Sequence, residues 1–195
     1  MAASDIAWIV GAYLLGSFPT ARLIGRRVGH DPLREGSGNP GATNVYRTAG
    51  WSAGVAVLVG DLAKGAVATG VAYGLAGREM AALCWAAAVL GHVAPVTMPW
   101  RGGKGVATAG GGAFVLYPIA ATVLLVVFVV VVRRWRTSSI GSLVLAVALP
   151  TYVAIRGSPA REMACATAIS VLVLLRHRAN IGRLLRGEER SVSSG

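Results

Sequence analysis

Between residues 6 and 175 the chain is a succession of apolar runs separated by short polar stretches. Each longer run approaches the ~20 residues that cross a bilayer. Lipid offers the backbone no hydrogen-bond partners, so segments of this kind fold as helices that satisfy themselves. Seven are expected, over Ile6–Ile24, Trp51–Ala76, Met80–Trp100, Val106–Leu116, Pro118–Val132, Ile140–Ile155 and Ala160–Leu175. The ambiguous stretch is 106–132, which could form one long helix. Tyr117-Pro118 argues for two, because proline disfavours helix at the residue before it.

The cations support the same count. With the N-terminus outside and seven spans, one side receives Arg22, Arg26, Arg27, Arg34 and Arg47, then Arg101 and Lys104, then Arg133, Arg134 and Arg136. That side also receives Arg176, Arg178, Arg183, Arg186 and Arg190, and the other keeps Arg78, Arg156 and Arg161. The positive-inside rule makes the crowded side cytoplasmic, including the C-terminus. Removing the break at Pro118 would put the Arg133 cluster outside. The first segment has no basic region ahead of it and a basic stop after it, so it reads as an anchor and not a cleaved signal.

Composition agrees: 54% of residues are hydrophobic and 14% charged, with mean hydropathy +0.61. In a soluble chain a net charge of +11 would suggest a nucleic-acid partner; here its distribution follows topology, and no nucleic acid is expected. Cys84 and Cys165 both lie in apolar runs and form no metal or redox motif together, as core-filling thiols do. No soluble domain, repeat array or low-complexity linker divides residues 1–195, so one all-α integral membrane domain is expected.

The unusual residues gather in three polar stretches on the basic side. The first, Glu35 to Arg47, is rich in glycine, hydroxyl and amide groups and can present many backbone N–H donors to an anion. Gly36, Gly38 and Gly41 spell G-x-G-x-x-G, with Asp61 about twenty residues on. A dinucleotide site also requires a strand before and a helix after in a βαβ unit, and this loop follows a membrane segment. A plain glycine turn would not call for Ser37, Asn39, Thr43, Asn44 and Arg47 together.

The second stretch, Trp100-Arg-Gly-Gly-Lys-Gly-Val-Ala-Thr108, is a P-loop only in spelling, since Lys104 is followed by Gly105 and not by a magnesium-binding hydroxyl. Its glycines, its lysine and the start of the next helix still suit a phosphate. The chain uses seventeen arginines and two lysines, Lys64 and Lys104, which suggests that these positions need a compact ammonium. The competing reading of Lys104 is a positive-inside anchor. Asp61 and Lys64 lie at i and i+3 on one helix face, either as a mutually satisfied pair or as a functional one.

The third stretch, from Arg176 to Glu189, follows the last apolar run. On a continued helix His177 and Asn180 would share a face, where imidazole and amide could orient a hydroxyl or a phosphate oxygen. Its leucines and arginines equally fit an interfacial amphipathic tail.

Gly-Ser-Gly-Asn-Pro-Gly-Ala-Thr-Asn with Arg47, Gly-Gly-Lys-Gly-Val-Ala-Thr, and Arg-His-x-x-Asn-Ile-x-Arg-Leu with a downstream Gly-x-Glu resemble the motifs of the acyl-phosphate-dependent glycerol-3-phosphate acyltransferases. Gly16-Ser-Phe-Pro-Thr20 and Gly60-Asp-Leu-Ala-Lys-Gly65 are similar to that family too, so the likeness runs along the whole chain in order. It implies a multi-pass enzyme of the bacterial plasma membrane with its active site near the cytoplasmic face. The reaction implied moves an acyl chain from acyl phosphate to the 1-hydroxyl of glycerol-3-phosphate, giving 1-acyl-glycerol-3-phosphate and phosphate for phospholipid synthesis. The partners implied are these two substrates and membrane lipid, and the expected unit is a monomer.

By the same resemblance the essential serine and arginine match Ser37 and Arg47, and the important histidine and asparagine match His177 and Asn180. The glycerol-3-phosphate motif matches Gly102, Gly103, Lys104 and Gly105, and the structural glutamate maps best to Glu189, with Glu188 adjacent. Gly38, Asn39, Gly41, Thr43, Asn44, Lys64, Thr108 and Arg183 complete the expected phosphate-binding set, and Asp61 joins Glu189 as structural.

The residues agree with that chemistry. Acyl phosphate is already activated, so neither metal nor nucleotide cofactor is needed, and His30, His92 and His177 are too far apart in sequence for metal spacing. His177 is the side-chain candidate for base, with a phosphate oxygen of the donor as its rival. Ser37 has no base beside it in sequence, which favours direct transfer over a covalent acyl-serine. A small transporter for an organic phosphate is the alternative from another class, but it would need more intramembrane charge than Asp61 and Lys64. A phosphatidyl-alcohol transferase would need clustered aspartates, and Asp5, Asp31 and Asp61 are scattered.

Overall fold

The computed structural model describes residues 2–192, and among these the regular structure is nine α-helices. They are α1 (Ala3–Gly16), α2 (Thr20–Arg27), α3 (Ala42–Ala49), α4 (Trp51–Val93), α5 (Val106–Leu116), α6 (Pro118–Trp135), α7 (Ser138–Ile155), α8 (Ala160–Arg176) and α9 (Arg178–Leu185). Four stretches are long and apolar enough to cross a membrane: Ala3–Arg27, Trp51–Val93, Pro118–Trp135 and Ser138–Ile155.

Helix α4 cannot be one span. Its 43 residues would run about 65 Å at ~1.5 Å each, roughly twice the hydrocarbon thickness. Gly77, at φ 84° and ψ 173°, breaks it. Residues at nearly equal distances from Gly77 then meet, Asp61 lying 3.6 Å from His92, so the two legs fold back antiparallel as a hairpin. At Tyr117 the backbone is again non-helical, with Pro118 opening α6, where its missing N–H costs nothing.

Three expectations shift. The first segment is not one continuous helix, because Phe18-Pro19 separates α1 from α2. The third ends at Val93 rather than Trp100, two residues before Pro95. The glycine-rich loop contains a helix of its own, α3, which starts at Ala42 behind Pro40-Gly41.

Between lipid-bathed helices the hydrophobic effect gives little association, so packing depends on small residues that let backbones touch. The crossings show this directly. A Cβ on Gly16 would lie 2.1 Å from the Ala88 carbonyl oxygen, and one on Gly91 would lie 2.1 Å from that of Tyr13. These two contacts lock α1 to the second leg of α4. Gly65 against Thr108 and Gly111 against Leu62 lock the first leg to α5 in the same way. At the centre Trp85 is wholly buried, and its indole donates to the Ala109 carbonyl at 2.9 Å.

One end of this bundle carries an ion pair between a buried carboxylate and a partly exposed arginine. The Glu162 carboxylate takes two bonds from Arg78, at 2.7 and 3.1 Å, and the Tyr117 hydroxyl. The other end gathers α3, α9 and the loops before α5 and after α9.

Candidate active site

The first loop is shaped by Asn44. Its carbonyl oxygen accepts the Ser37 N–H at 2.8 Å, and its amide donates to the Pro32 and Glu35 carbonyls at 3.0 and 3.1 Å. Gly36, at φ 60°, lies so near that a Cβ there would stand 2.3 Å from the Asn44 oxygen. Asn44 is therefore buried and spent on the loop, and what it does is present Ser37. The Glu35 carboxylate ties the loop's base, accepting the Asp31 N–H at 2.8 Å and lying 2.7 Å from His30. The Asp31 N–H and then His30 hold it below the usual carboxylate range. Among the described residues the Ser37 hydroxyl meets no histidine or carboxylate, so no side chain is placed to activate it.

The lysine loop lies across the end of the α4 hairpin. Gly103 N–H bonds the His92 carbonyl at 3.1 Å, and Gly102 N–H that of Val93 at 3.2 Å. A Cβ on Gly102 would stand 2.0 Å from the His92 oxygen, and one on Gly103 2.0 Å from His92 Nε2. These glycines are required for close approach, and their N–H groups are already engaged. Gly105, at φ 87°, caps α5, whose first turn then faces the same space as Lys104.

The third stretch does not continue α8. The helix ends at Arg176, His177 is the junction, and α9 begins at Arg178. His177 and Asn180 are still both buried and on one side. His177 Nδ1 donates to the Val173 carbonyl at 2.8 Å, which leaves Nε2 as an acceptor. Asn180 spans two charges: its oxygen accepts from Lys104 Nζ at 2.5 Å and its amide donates to Glu189 Oε1 at 2.5 Å. Glu189 also accepts from Ser139 at 3.0 Å and Arg183 at 2.7 Å, whereas Glu188 pairs with exposed Arg186.

These groups line one cavity of about 400 Å³. Ser37, Asn39, Gly41, Thr43, Asn44, Arg47, Lys104, Gly105, His177, Asn180, Arg183 and Glu189 all border it. Its polar end holds five cations, Arg47, Lys104, Arg176, Arg183 and Arg190, against Glu189 and an Asp61 already 2.9 Å from Lys64. The starts of α3 and α5 both open onto it, adding backbone dipoles for an anion. The inner part passes between α5, α6, α7 and α8 and is walled by Phe114, Leu124, Phe128, Leu145, Leu149 and Ile169.

Other expected residues fall elsewhere. Gly102, Gly103 and Lys64 border a second, smaller cavity behind the lysine loop. Lys64 Nζ donates at 3.3 Å to the Phe18 carbonyl, which also accepts the Thr20 N–H at 2.9 Å across the α1–α2 break. Thr108 is completely buried against Gly65, and Gly38 is not part of the main cavity wall. Ser139, His92, Arg176 and Arg190 border the cavity without having been singled out by sequence. Arg176 had one usable signal, its place beside His177; Ser139 had none.

Burial, helped by Arg183, Arg47 and Arg176, lowers Lys104 to about 8 against the opposing pull of Glu189. Burial, and then the Lys104 charge, push His177 down to about 4. Burial alone would raise Glu189, yet bonds from Asn180, Arg183 and Ser139 hold it below the carboxylate range. The site is an electropositive pocket with a neutral imidazole and one ordering carboxylate. Such a pocket is complementary to phosphorylated groups, and its apolar inner end to a hydrocarbon tail.

Comparison with known proteins points the same way. The family model described as glycerol-3-phosphate acyltransferase matches residues 6–187. Among curated relatives, the glycerol-3-phosphate acyltransferase of Trichlorobacter lovleyi is 43% identical over 187 residues, covering 95% of this chain and 96% of the relative. That of Syntrophotalea carbinolica is 45% identical, covering 93% and 94%. The crystal structure of PlsY, an integral membrane glycerol 3-phosphate acyltransferase, in its glycerol 3-phosphate form is 35% identical. It superposes with TM-score 0.92 over 97% of this chain and 96% of that one. Its lysophosphatidic acid form is 34% identical, with TM-score 0.91 over 98% and 97%.

Proposed function

We propose how this site works from one premise: the chain belongs to the glycerol-3-phosphate acyltransferase family. It is an integral membrane protein that transfers an acyl group to glycerol-3-phosphate in phospholipid synthesis. Our reading is that the donor is an acyl phosphate, and that the 1-hydroxyl attacks its acyl carbon directly. The observation that carries this is the cavity of about 400 Å³ whose five-cation end leads into an apolar interior. Two phosphates at the polar end would balance that charge, and the acyl chain would lie among α5, α6, α7 and α8.

In the proposed step the ester C–O bond forms as the bond from acyl carbon to phosphate oxygen breaks. The hydroxyl proton leaves on the departing phosphate. That route is favoured because an imidazole pushed down to about 4 is a weak proton acceptor. His177 then orients the hydroxyl through Nε2, its tautomer fixed by Val173. Lys104 and Arg183 hold glycerol-3-phosphate, with Asn180 and Glu189 setting the lysine. Ser37, lacking an activating base, donates a hydrogen bond to the donor, and Arg47 holds its phosphate. The start of α5, with Gly105, supplies backbone N–H groups to the developing oxyanion.

The proposed topology has seven crossings, counting each leg of α4 and the short α5, with the N-terminus outside. The basic loops, the cavity mouth and the C-terminus then face the cytoplasm, as the distribution of arginine favours.

The direct test uses the purified chain in lipid with synthetic acyl phosphate, labelled glycerol-3-phosphate and EDTA. Labelled 1-acyl-glycerol-3-phosphate and one equivalent of phosphate are expected, with no product when acyl-CoA replaces the donor. Product from acyl-CoA alone would overturn the donor; none from either would overturn the reaction.

Lys104 gives a pH prediction. A lysine near 8 is cationic below that pH and neutral above it, so phosphate binding weakens as pH rises through about 8. The substrate phosphate gains its second charge near pH ~6, which limits the acid side. kcat/KM for glycerol-3-phosphate should therefore peak between the two and fall on the alkaline side. In Lys104→Arg that alkaline limb should disappear below pH ~10, because guanidinium does not titrate there. A limb unmoved in Lys104→Arg would remove Lys104 as its source.

A further inference from the structure

We propose that Arg176 is the positioning residue for the lysine loop, acting on the reaction through Lys104 and not by its own charge. The inference rests on the proposed role of Lys104 in holding glycerol-3-phosphate.

The loop's carbonyls turn outward at three residues, and Arg176 takes all three. Nη1 donates to Trp100 at 3.0 Å, Nη2 to Gly102 at 2.8 Å and Nε to Gly103 at 3.3 Å. The shape so held is not one that this sequence adopts freely. Trp100 stands at φ 61°, in the left-handed region, where a bulky aromatic is strained. On the loop's other side the N–H groups of Gly102 and Gly103 bond Val93 and His92, and the His92 ring abuts Gly103. The loop is thus clamped between the end of α4 and one guanidinium.

Lys104 is the next residue, and its ammonium meets Asn180, four residues after Arg176. One helix junction therefore carries both the clamp on the loop and the acceptor for the lysine. The fork geometry is what matters, since five N–H donors in one plane can serve three carbonyls spread along four residues. A lysine at position 176 would keep the charge and could reach only part of that set.

The experiment compares Arg176→Lys and Arg176→Gln, each alone and combined with Lys104→Met, with glycerol-3-phosphate varied at saturating acyl phosphate. Both single variants should raise KM for glycerol-3-phosphate by about tenfold or more, as expected when a binding group is misplaced. In both, kcat should change by less than about threefold. In the Lys104→Met background the same substitutions should cost less than about threefold, because the residue they act through is gone. Thermal melting in detergent checks folding, and if one variant is not recovered the other carries the comparison. An Arg176→Lys enzyme at the wild-type level, with Arg176→Gln impaired, would reduce the role to charge. An equal loss with and without Lys104 would make Arg176 an independent substrate contact. Either result overturns the proposal. A wild-type enzyme inactive on these substrates would instead overturn the functional reading beneath it.

Discussion

Lys104→Met is expected to lower kcat/KM for glycerol-3-phosphate roughly 10³-fold while leaving the fold intact. Methionine matches the lysine stem in volume, so packing against the loop survives. What is lost is a desolvated ammonium facing a phosphate, and truncating one side of such a pair costs about 2–5 kcal/mol. At ~1.4 kcal/mol per decade that spans roughly 30-fold to several thousandfold. The upper part applies because Lys104 is partly buried and tightly bonded to Asn180. Arg47 and Arg183 still border the cavity and keep it electropositive, so binding should weaken and not vanish. Initial rates with glycerol-3-phosphate varied at saturating donor measure this. A loss below threefold would take Lys104 off the substrate phosphate.

Much of this architecture was legible because its signals are local. Apolar run length marks the helices, and Pro118 and the basic clusters mark where they end. The glycine-rich loop, Lys104 and His177 stand out because their residue types are unusual at the edges of apolar runs. What sequence could not show is pairing at a distance. Asp61 meets His92 only because the chain reverses at Gly77, and nothing in the local pattern around residue 92 carries that information. Ser37 and Asn44 were both expected to face substrate, one as the essential serine and the other as a phosphate-binding residue. The fold separates them: the Asn44 amide is consumed by Pro32, Glu35 and Ser37, while the Ser37 hydroxyl is free among the described residues. Gly102 and Gly103 read as part of a phosphate site, yet their close approach is to the end of α4 and their N–H groups are spent on its carbonyls. Thr108, in the same motif, is wholly buried, with its backbone against Gly65. In each case a tertiary contact decided which of several chemically similar groups stayed available.

The far end of the bundle tests stability apart from chemistry. Arg78→Met should destabilise the protein by about 3–5 kcal/mol, the cost of leaving a buried carboxylate without its cation. Glu162 is 1% exposed, and its carboxylate takes two bonds from Arg78 and one from Tyr117. Without the guanidinium that carboxylate must protonate or stay buried with a single donor. The Leu116 carbonyl, which accepts from Arg78 at 3.0 Å, would also lose a donor. Arg156 lies over the Tyr117 ring, 5.7 Å from its centre, and only partly offsets the missing charge. Arg78→Lys should fall between, since it keeps the charge but not the fork. Arg78→Met with Glu162→Met should recover much of the loss, because no uncompensated charge remains. Fifteen residues of α8 separate Glu162 from His177, about 22 Å along the axis. Folded enzyme should therefore retain its KM for glycerol-3-phosphate while its unfolding midpoint in detergent falls. A double variant no more stable than Arg78→Met would show that packing around Arg78, and not the stranded carboxylate, holds this end together.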